Sequence, residues 1–325
     1  MKINLYMDGG IGDHLLGHKF SVQIKEKYPN SLLHVFSDTQ NNFAQKTTLN
    51  YLYPNFYESI TVIADKKYKK CIIDSQFGTE EYRGGVQNLK ESVLKEMTED
   101  CDKLYSLHVD SLDFIHHDYN WSKDFDKIPK PSNYYNRPEI YMGKYLISNI
   151  ISATGREHLC EQFWTDRLIS EIDSYCLKNK LKHLIISTPE TNHKYENILK
   201  KCQVTSFINA GVEEVCDFIS GAAGLIGIDS CWRLISSSYD VPTITISKNC
   251  SQPGVCPISH QIRWLINPKT TFPIHWNTQD IIKLMDKMLE NQLFSLFPSL
   301  AFAPNLDQIL IRRNYKVNEE KSILN

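Results

Sequence analysis

The sequence lacks the paired cysteines on which disulfide frameworks and zinc sites depend. Its nine cysteines are odd in number and scattered, and no two of them form a CxxC pair. This spread is typical of reduced thiols in the cytoplasm. The eleven histidines include no HExxH motif, and the sequence therefore predicts no metal site.

Long apolar runs and an excess of positive charge are also missing. No apolar run approaches the roughly 20 residues that cross a membrane, and the first residues do not resemble a signal peptide. The formal net charge is −2, which provides no general positive field for nucleic acid. We therefore expect a cytoplasmic protein without an integral membrane segment, for which a nucleic-acid acceptor is conceivable but not favoured.

The sequence does have a regular alternation of short apolar runs with longer amphipathic ones. Its 325 residues exceed one ordinary hydrophobic core. Alternating strands and helices predict parallel sheets covered on both faces. We expect an α/β fold of two Rossmann-like domains facing across a cleft, with boundaries at 1–155 and 156–325. Residues 139–153 are predicted to form a helix between them.

The predicted secondary structure can be given by range. Strands are expected at 2–7, 31–37, 59–64, 69–75, 102–108, 181–187, 203–208, 224–228, 241–246 and 263–268. The other helices are expected at 14–28, 86–99, 163–179, within 188–201, and at 211–220, 230–240 and 278–294.

The stretch DGGIGDHLLG places a carboxylate, Asp13, just after a glycine turn where a helix begins. Aspartate is a preferred helix cap, and a carboxylate at such a turn can also serve as a general base. The dinucleotide motif GxGxxG fits poorly, because Leu15 stands at its third glycine. A carboxylate would also repel a pyrophosphate. Cap and base both remain open from these residues.

The stretch GLIGIDSCWRL contains a second junction between a strand and a helix, at Asp229 and Ser230. Free N–H groups at the start of a helix, with a hydroxyl beside them, suit the diphosphate of a nucleotide sugar. Arg233 follows one turn later and adds positive charge. The alternative is a simple cap, with Arg233 solvated or paired with Asp240.

The stretch IISTPETNHK places Ser187 and Thr188 after a predicted strand, with Lys194 six residues beyond Thr188. Hydroxyls and an ammonium group can stabilise a leaving phosphate. A polar loop with a surface lysine would have the same sequence.

These three stretches, in this order, resemble glycosyltransferase family nine, the lipopolysaccharide heptosyltransferases of the GT-B fold. The resemblance rests on Gly12-Asp13 before the first helix, on Ser187-Thr188 with Lys194, and on Asp229-Ser230 before a helix and the strand VPTITI. It spans most of the chain.

The resemblance implies an inverting transferase that needs no metal and no cofactor beyond a nucleotide-diphosphate sugar. It implies that Asp13 is the base that removes the proton of the acceptor hydroxyl, and that the second domain holds the donor. The donor-binding residues expected on this basis are Gly12, Ser187, Thr188, Lys194, Asp229, Ser230 and Arg233.

The sequence departs from the family at the element D-[ST]-G-x-x-H. Cys231 stands in place of its glycine and Leu234 in place of its histidine, and we hypothesise that Arg233 replaces the contact of that histidine. ADP-heptose is therefore not assumed as the donor.

The acceptor class stays open among a glycan, a lipid-linked saccharide, a protein and a modified nucleic-acid base. The aromatic loop 116–138 offers Trp121, Tyr134 and Tyr135 as acceptor-binding residues, because sugars stack on aromatic rings. The alternative is that the loop packs on its own aromatic residues.

Other functions are compatible with the same pattern. A sugar-nucleotide epimerase or hydrolase shares the fold, and a non-catalytic nucleotide-sugar binder is suggested by the altered D-[ST]-G-x-x-H element. A dehydrogenase is the least favoured.

Overall fold

A computed structural model describes two compact units, Met1–Asn133 and Tyr134–Asn325. The described residues are 1–38, 44–63, 95–97, 99–106, 128–137, 143–151, 162–228, 230–247, 261–265 and 278–290.

The first unit contains a parallel sheet with strand order β3-β2-β1-β4. Its chain builds outward from β1 to β3 and then returns to the other side of β1. The loop after β1 therefore lies where the strand order reverses, which is where open α/β sheets bind ligands. The elements are β1 (Lys2–Asp8), α1 (Ile11–Lys27), β2 (Leu32–Asp38), α2 (Ala44–Leu52), β3 (Ser59–Val62) and β4 (Lys103–Ser106).

The second unit contains a six-stranded parallel sheet of order β10-β9-β8-β5-β6-β7. This is the doubly wound order, and it reverses between β5 and β8. The strands are β5 (Tyr145–Asn149), β6 (Lys182–Ile185), β7 (Thr205–Phe207), β8 (Gly224–Ile228), β9 (Thr243–Ser247) and β10 (Gln261–Leu265). The helices are α3 (Gln162–Lys178), α4 (Pro189–Asn192), α5 (Glu196–Leu199), α6 (Val212–Gly221), α7 (Cys231–Ser238) and α8 (Thr278–Leu289).

The predicted α/β fold with two parallel sheets is confirmed. All the predicted strands that fall on described residues are present, within a few residues at each end. The strand predicted at 69–75 and most of the helix predicted at 86–99 lie outside the described residues.

The helix predicted at 139–153 is wrong, because Tyr145–Asn149 forms the strand β5. All five of its residues are buried between β6 and β8. An apolar run buried on every side has no polar face, and its periodicity cannot separate a strand from a buried helix. β5 thus places residues that the sequence analysis assigned to the first domain inside the sheet of the second unit.

The buried histidines among the described residues are His14 and His18 in the first unit and His183 in the second. His18 lies on α1, hydrogen-bonded through Nδ1 to the Tyr57 hydroxyl at 2.7 Å and stacked on the Tyr53 ring. Burial lowers its pKa from 6.5 to about 3. Burial lowers the pKa of His183 to about 3 as well, and the nearby Asp173 carboxylate offsets only part of this effect.

The hydrogen bonds around His183 define its protonation state. The Thr205 hydroxyl donates to Asp173 at 2.6 Å and so accepts from Nδ1 of His183, at 2.9 Å. Nε2 of His183 is left to accept from the Ser148 hydroxyl at 2.8 Å. This chain of bonds ties α3, β7, β6 and β5 together, and it requires a neutral imidazole in the core of the second sheet.

Candidate functional site

The turn between β1 and α1 brings its backbone against the Asp13 side chain. Gly9 has a φ of +96°, a conformation that favours glycine. A Cβ atom at Gly9 would lie 2.7 Å from the Cγ atom of Asp13. Any other residue at this position would be strained for two reasons, its backbone conformation and its closeness to the carboxylate.

Asp13 is the third residue of α1, and its carboxylate is fixed by the same turn. Its Oδ2 atom accepts a hydrogen bond from the N–H of Gly10, the N-cap residue, at 2.6 Å. This is the reverse half of a capping box. The side chain is only partly buried, so that capping and access to solvent coexist. The structure supports the capping interpretation, and the role of Asp13 as a base stays a prediction.

Two buried side chains that the sequence analysis did not single out hold the turn. The Gln45 amide nitrogen donates to the Gly9 carbonyl at 3.3 Å. Nδ1 of His14 lies 3.0 Å from the Gly10 carbonyl, and its Nε2 lies 2.6 Å from the Ser37 hydroxyl on β2. His14 follows Asp13 directly and could have been noticed, whereas nothing in the sequence marks Gln45.

In the second unit, Ser230 lies where β8 passes into α7, at the reversal of strand order. It is the N-cap residue, but its side chain makes no capping hydrogen bond. Its hydroxyl oxygen is buried and has no hydrogen-bond partner among the described residues. A buried polar atom without a partner in the protein calls for an explanation, and a bound ion or ligand group is one of them. The predicted Asp229 lies outside the described residues.

Arg233 is buried in the first turn of α7, with 2% of its surface exposed. The alternative in which it is a solvated surface residue is therefore wrong. Its position on the helix that Ser230 begins is compatible with the predicted contact to a phosphate.

Ser187 and Thr188 follow β6 and participate in the start of the short helix α4. The Ser187 hydroxyl lies 2.8 Å from the Thr191 hydroxyl, which also accepts the N–H of Thr188 at 3.0 Å. Lys194 is partly buried between α4 and α5. These hydroxyls have partners within the protein, unlike that of Ser230.

The predicted donor residues of the second unit lie together at its carboxyl edge, where the parallel strands end. Ser187 follows β6 and Ser230 follows β8, and both strands pair with β5.

The Tyr195 hydroxyl accepts the N–H of Ile151 at 3.1 Å, which holds the segment of Lys194 near the end of β5. Asn149, which the sequence analysis missed, is the last residue of β5 and donates to the Ile186 carbonyl at 3.1 Å. The carboxyl edge around β5 is therefore the candidate donor site.

The predicted acceptor aromatics of the second unit lie at the opposite edge of its sheet. The Tyr134 hydroxyl donates to the Asp240 carboxylate, and the Arg137 guanidinium lies 4.4 Å from the Tyr134 ring centre. Tyr135 is 85% exposed and packs edge-on against Tyr134. Tyr134 is thus engaged in packing, while Trp121 lies outside the described residues.

Arg137, another residue that the sequence analysis missed, fixes the ends of two helices. It donates to the carbonyls of Ser220 at the end of α6, of Tyr239 just after α7, and of Tyr134. The chain runs from these two helix ends into the amino ends of β8 and β9. Arg137 and Tyr134 therefore lie at the amino edge of the second sheet, where its strands begin. A cation there also complements the negative ends of both helix dipoles.

We expect Arg137→Ala to lower the free energy of unfolding by about 3 kcal/mol, since hydrogen bonds to a charged group contribute about 1.5–3 kcal/mol each and are not additive. Arg137→Lys should recover only part of the loss, because an ammonium group cannot bond all three carbonyls in a fork. Urea denaturation of the full chain measures both variants. Lys144→Ala, at an exposed neighbouring position, is the control, and a loss no larger than in this control would contradict the prediction.

Two further features are absent from the described residues, a cluster of metal ligands and a membrane-spanning helix. No group of three or more histidine, cysteine, aspartate or glutamate residues in that part of the chain could hold a metal ion. No helix within those residues has the length and apolar character needed to span a membrane.

The chain is similar to solved structures of heptosyltransferases. No protein-family model matches the sequence, and no curated protein matches it. The ADP-heptose lipopolysaccharide heptosyltransferase II of E. coli matches with a TM-score of 0.61 at 9% identity, over 90% of this chain and 99% of that one. A glycosyltransferase of family nine from Veillonella parvula matches with a TM-score of 0.60 at 11% identity, over 89% and 97%.

The heptosyltransferase WaaC of E. coli, solved with ADP, matches with a TM-score of 0.57 at 11% identity, over 89% of this chain and 100% of that one. The chain therefore has the GT-B fold of the family-nine heptosyltransferases. Similarity at this level of identity establishes the fold and leaves the activity to be argued from the residues.

Proposed function

We propose that the protein is an inverting, metal-independent glycosyltransferase that moves a sugar from a nucleotide-diphosphate donor to an acceptor hydroxyl. The observation that carries the proposal is the partly exposed Asp13 carboxylate, held by the glycine turn at the strand-order reversal of a GT-B-type first unit. The GT-B fold of known nucleotide-sugar transferases supports it.

In the proposed reaction, Asp13 removes the proton from the acceptor hydroxyl as its oxygen attacks the anomeric carbon. The new glycosidic bond forms on the face opposite the departing group, which inverts the configuration. The bond between the anomeric carbon and the diphosphate oxygen breaks, and the nucleoside diphosphate leaves with both electrons. The proton remains on Asp13 until it passes to solvent.

The second unit is proposed to hold the donor and to stabilise the leaving diphosphate. The positive dipole end at the start of α7 and the Ser230 hydroxyl, which has no partner among the described residues, are suited to phosphate oxygens. Arg233 and Lys194 supply the positive charge that otherwise a metal ion would provide. Gly12, Ser187, Thr188 and Asp229 remain predicted donor contacts, and a cytoplasmic location remains part of the proposal.

The acceptor is proposed to be a glycan, a lipid-linked saccharide, a protein or a modified nucleic-acid base. Tyr135 is exposed, but it lies with Tyr134 at the amino edge of the second sheet, opposite the candidate donor site. Trp121, Tyr134 and Tyr135 remain predictions as acceptor contacts.

A non-catalytic nucleotide-sugar binder is the second candidate. It is favoured by one observation, namely that Asp13 Oδ2 already has a structural partner in the Gly10 N–H. Such a protein would bind the donor as tightly as an enzyme does. It would catalyse no transfer, and replacing Asp13 would change no rate.

Thermal unfolding with ADP, UDP, GDP, CDP and NAD tests the proposed function. A nucleoside diphosphate at about 100 times its dissociation constant should stabilise the native state by about 2.7 kcal/mol, because it binds only that state. At least one of the four diphosphates should raise the melting temperature. Stabilisation by NAD alone would contradict the proposal and favour a dehydrogenase.

Ser230→Ala should separate stability from donor binding. Removing an unpaired buried hydroxyl should leave the free energy of unfolding unchanged or raise it by up to about 1 kcal/mol. Affinity for the stabilising diphosphate should fall by a factor of about 5, the contribution of one hydrogen bond. Calorimetric titration measures the affinity, and urea denaturation measures the stability.

The matched control is Ser238→Ala at the other end of α7. The Ser238 hydroxyl is buried and donates to the Ile235 carbonyl at 2.7 Å, so its loss should lower stability and leave diphosphate affinity unchanged. Equal affinities for Ser230→Ala and the unmodified protein would remove Ser230 from the donor site.

A further inference from the structure

The peptide group between Gly9 and Gly10 is hydrogen-bonded on both of its sides. Its N–H donates to Oδ2 of Asp13 at 2.6 Å, and its carbonyl accepts from Nε2 of Gln45 at 3.3 Å. Because both atoms belong to one planar unit, the Gln45 amide, the peptide and the Asp13 carboxylate form one continuous chain of hydrogen bonds.

Gln45 carries an unpaired polar atom in a buried position. It lies in the first turn of α2 with 6% of its surface exposed, and its Oε1 atom has no hydrogen-bond partner among the described residues. A buried amide oxygen without a partner destabilises the fold, and an apolar side chain of the same shape would avoid this cost. Packing therefore does not account for a glutamine here, whereas the hydrogen bond from its nitrogen to Gly9 does.

The turn needs an external support of this kind. A glycine at a φ of +96° has a backbone that is free to rotate. The bond from Gln45 fixes the plane of the Gly9–Gly10 peptide, and His14 holds the next carbonyl, that of Gly10. Hydrogen bonds in a chain also polarise one another, so that a donor on the carbonyl strengthens the N–H that faces Asp13.

We infer that Gln45 is a positioning residue of the transfer reaction, which fixes and polarises the Gly9–Gly10 peptide and, through it, the carboxylate of Asp13. The inference rests on the proposed function of Asp13 as the base. It assigns to α2 a part in catalysis without any contact between Gln45 and the substrate.

The test variant is Gln45→Met, which keeps the length of the side chain and removes both the amide donor and the unpaired oxygen. Stability in urea should be unchanged or higher. The turnover number for release of nucleoside diphosphate should fall by a factor of about 5, on the scale of one hydrogen bond, with the KM of the donor unchanged. The probes are ADP-, UDP-, GDP- and CDP-sugars, with alkyl glycosides and water as acceptors.

Gln23→Met is the matched control. Gln23 lies on α1 and also has a buried side-chain oxygen that no described residue hydrogen-bonds, but the hydrogen bonds of the turn do not involve it. Its replacement should leave turnover unchanged. In the Asp13→Asn background, Gln45→Met should cause no further loss, because its effect passes through the carboxylate.

A second readout is independent of activity. In protein labelled with ¹⁵N-glycine, the Gly10 amide proton resonance should move upfield in Gln45→Met and stay in place in Gln23→Met, because a weaker hydrogen bond shields the proton. An unchanged Gly10 resonance, or an unchanged turnover number, in Gln45→Met overturns the inference. Full turnover in Asp13→Asn alone would instead overturn the proposed function, and the two failures are thereby distinguished.

Discussion

Asp13→Asn should reduce sugar transfer by a factor of about 100 or more, the scale of a lost general base. The asparagine carbonyl oxygen can still accept the Gly10 N–H that Asp13 binds at 2.6 Å, so that the start of α1 is preserved. An amide oxygen is too weakly basic to remove a hydroxyl proton. Donor affinity should therefore be retained while turnover is lost.

The measurement compares the rate of nucleoside diphosphate release with the dissociation constant of the stabilising diphosphate. Glu26→Gln is the control, because it makes the same change of carboxylate to amide at an exposed position of α1. Its rate should equal that of the unmodified protein. A full rate in Asp13→Asn would show that the carboxylate only caps the helix, and would favour the non-catalytic binder.

The free energy of unfolding should fall as the pH is lowered from 6.5 towards 3. Burial lowers the pKa of His18 and of His183 to about 3 in the folded protein, from 6.5. Between these values the unfolded chain binds protons that the folded protein does not, which favours unfolding at lower pH. Each histidine should contribute a slope of up to about 1.4 kcal/mol per pH unit.

The variant His18→Phe isolates one of the two contributions. It keeps an aromatic ring against Tyr53, which the His18 ring now stacks on at 3.6 Å between centroids, and removes the titrating group. Urea denaturation across this pH range should give a slope reduced by the share of one histidine. His193→Gln, at an exposed position, should leave the slope unchanged. A slope in His18→Phe equal to that of the unmodified protein would contradict the prediction.

Local sequence pattern predicted most of this fold because its elements have distinct periodicities. α6 and α7 have polar and apolar faces, which indicate helices, and the short apolar runs between turns indicate strands. β5 could not be recognised in this way, since all of its side chains are buried. Its identity as a strand depends on β6 and β8, which come much later in the chain.

The candidate site was predictable only in part, for a related reason. Asp13 and Ser230 stand at junctions of strand and helix, which a sequence displays directly. Gln45 reaches a partner 36 residues away and Arg137 one 102 residues away. Such contacts are produced by the tertiary fold, and no local spacing encodes them.

The position of β5 limits how the chain can be divided. It is third from one end of the six-stranded sheet and fourth from the other, between β8 and β6. A fragment that began at residue 156 would lack this strand and would leave a three-stranded piece (β8, β9 and β10) and a two-stranded piece (β6 and β7), each with a newly exposed edge. Expressing the second unit alone, or exchanging it between related chains, should therefore use a junction ahead of Tyr134, so that Arg137 and the central strand β5 stay with the sheet that they complete.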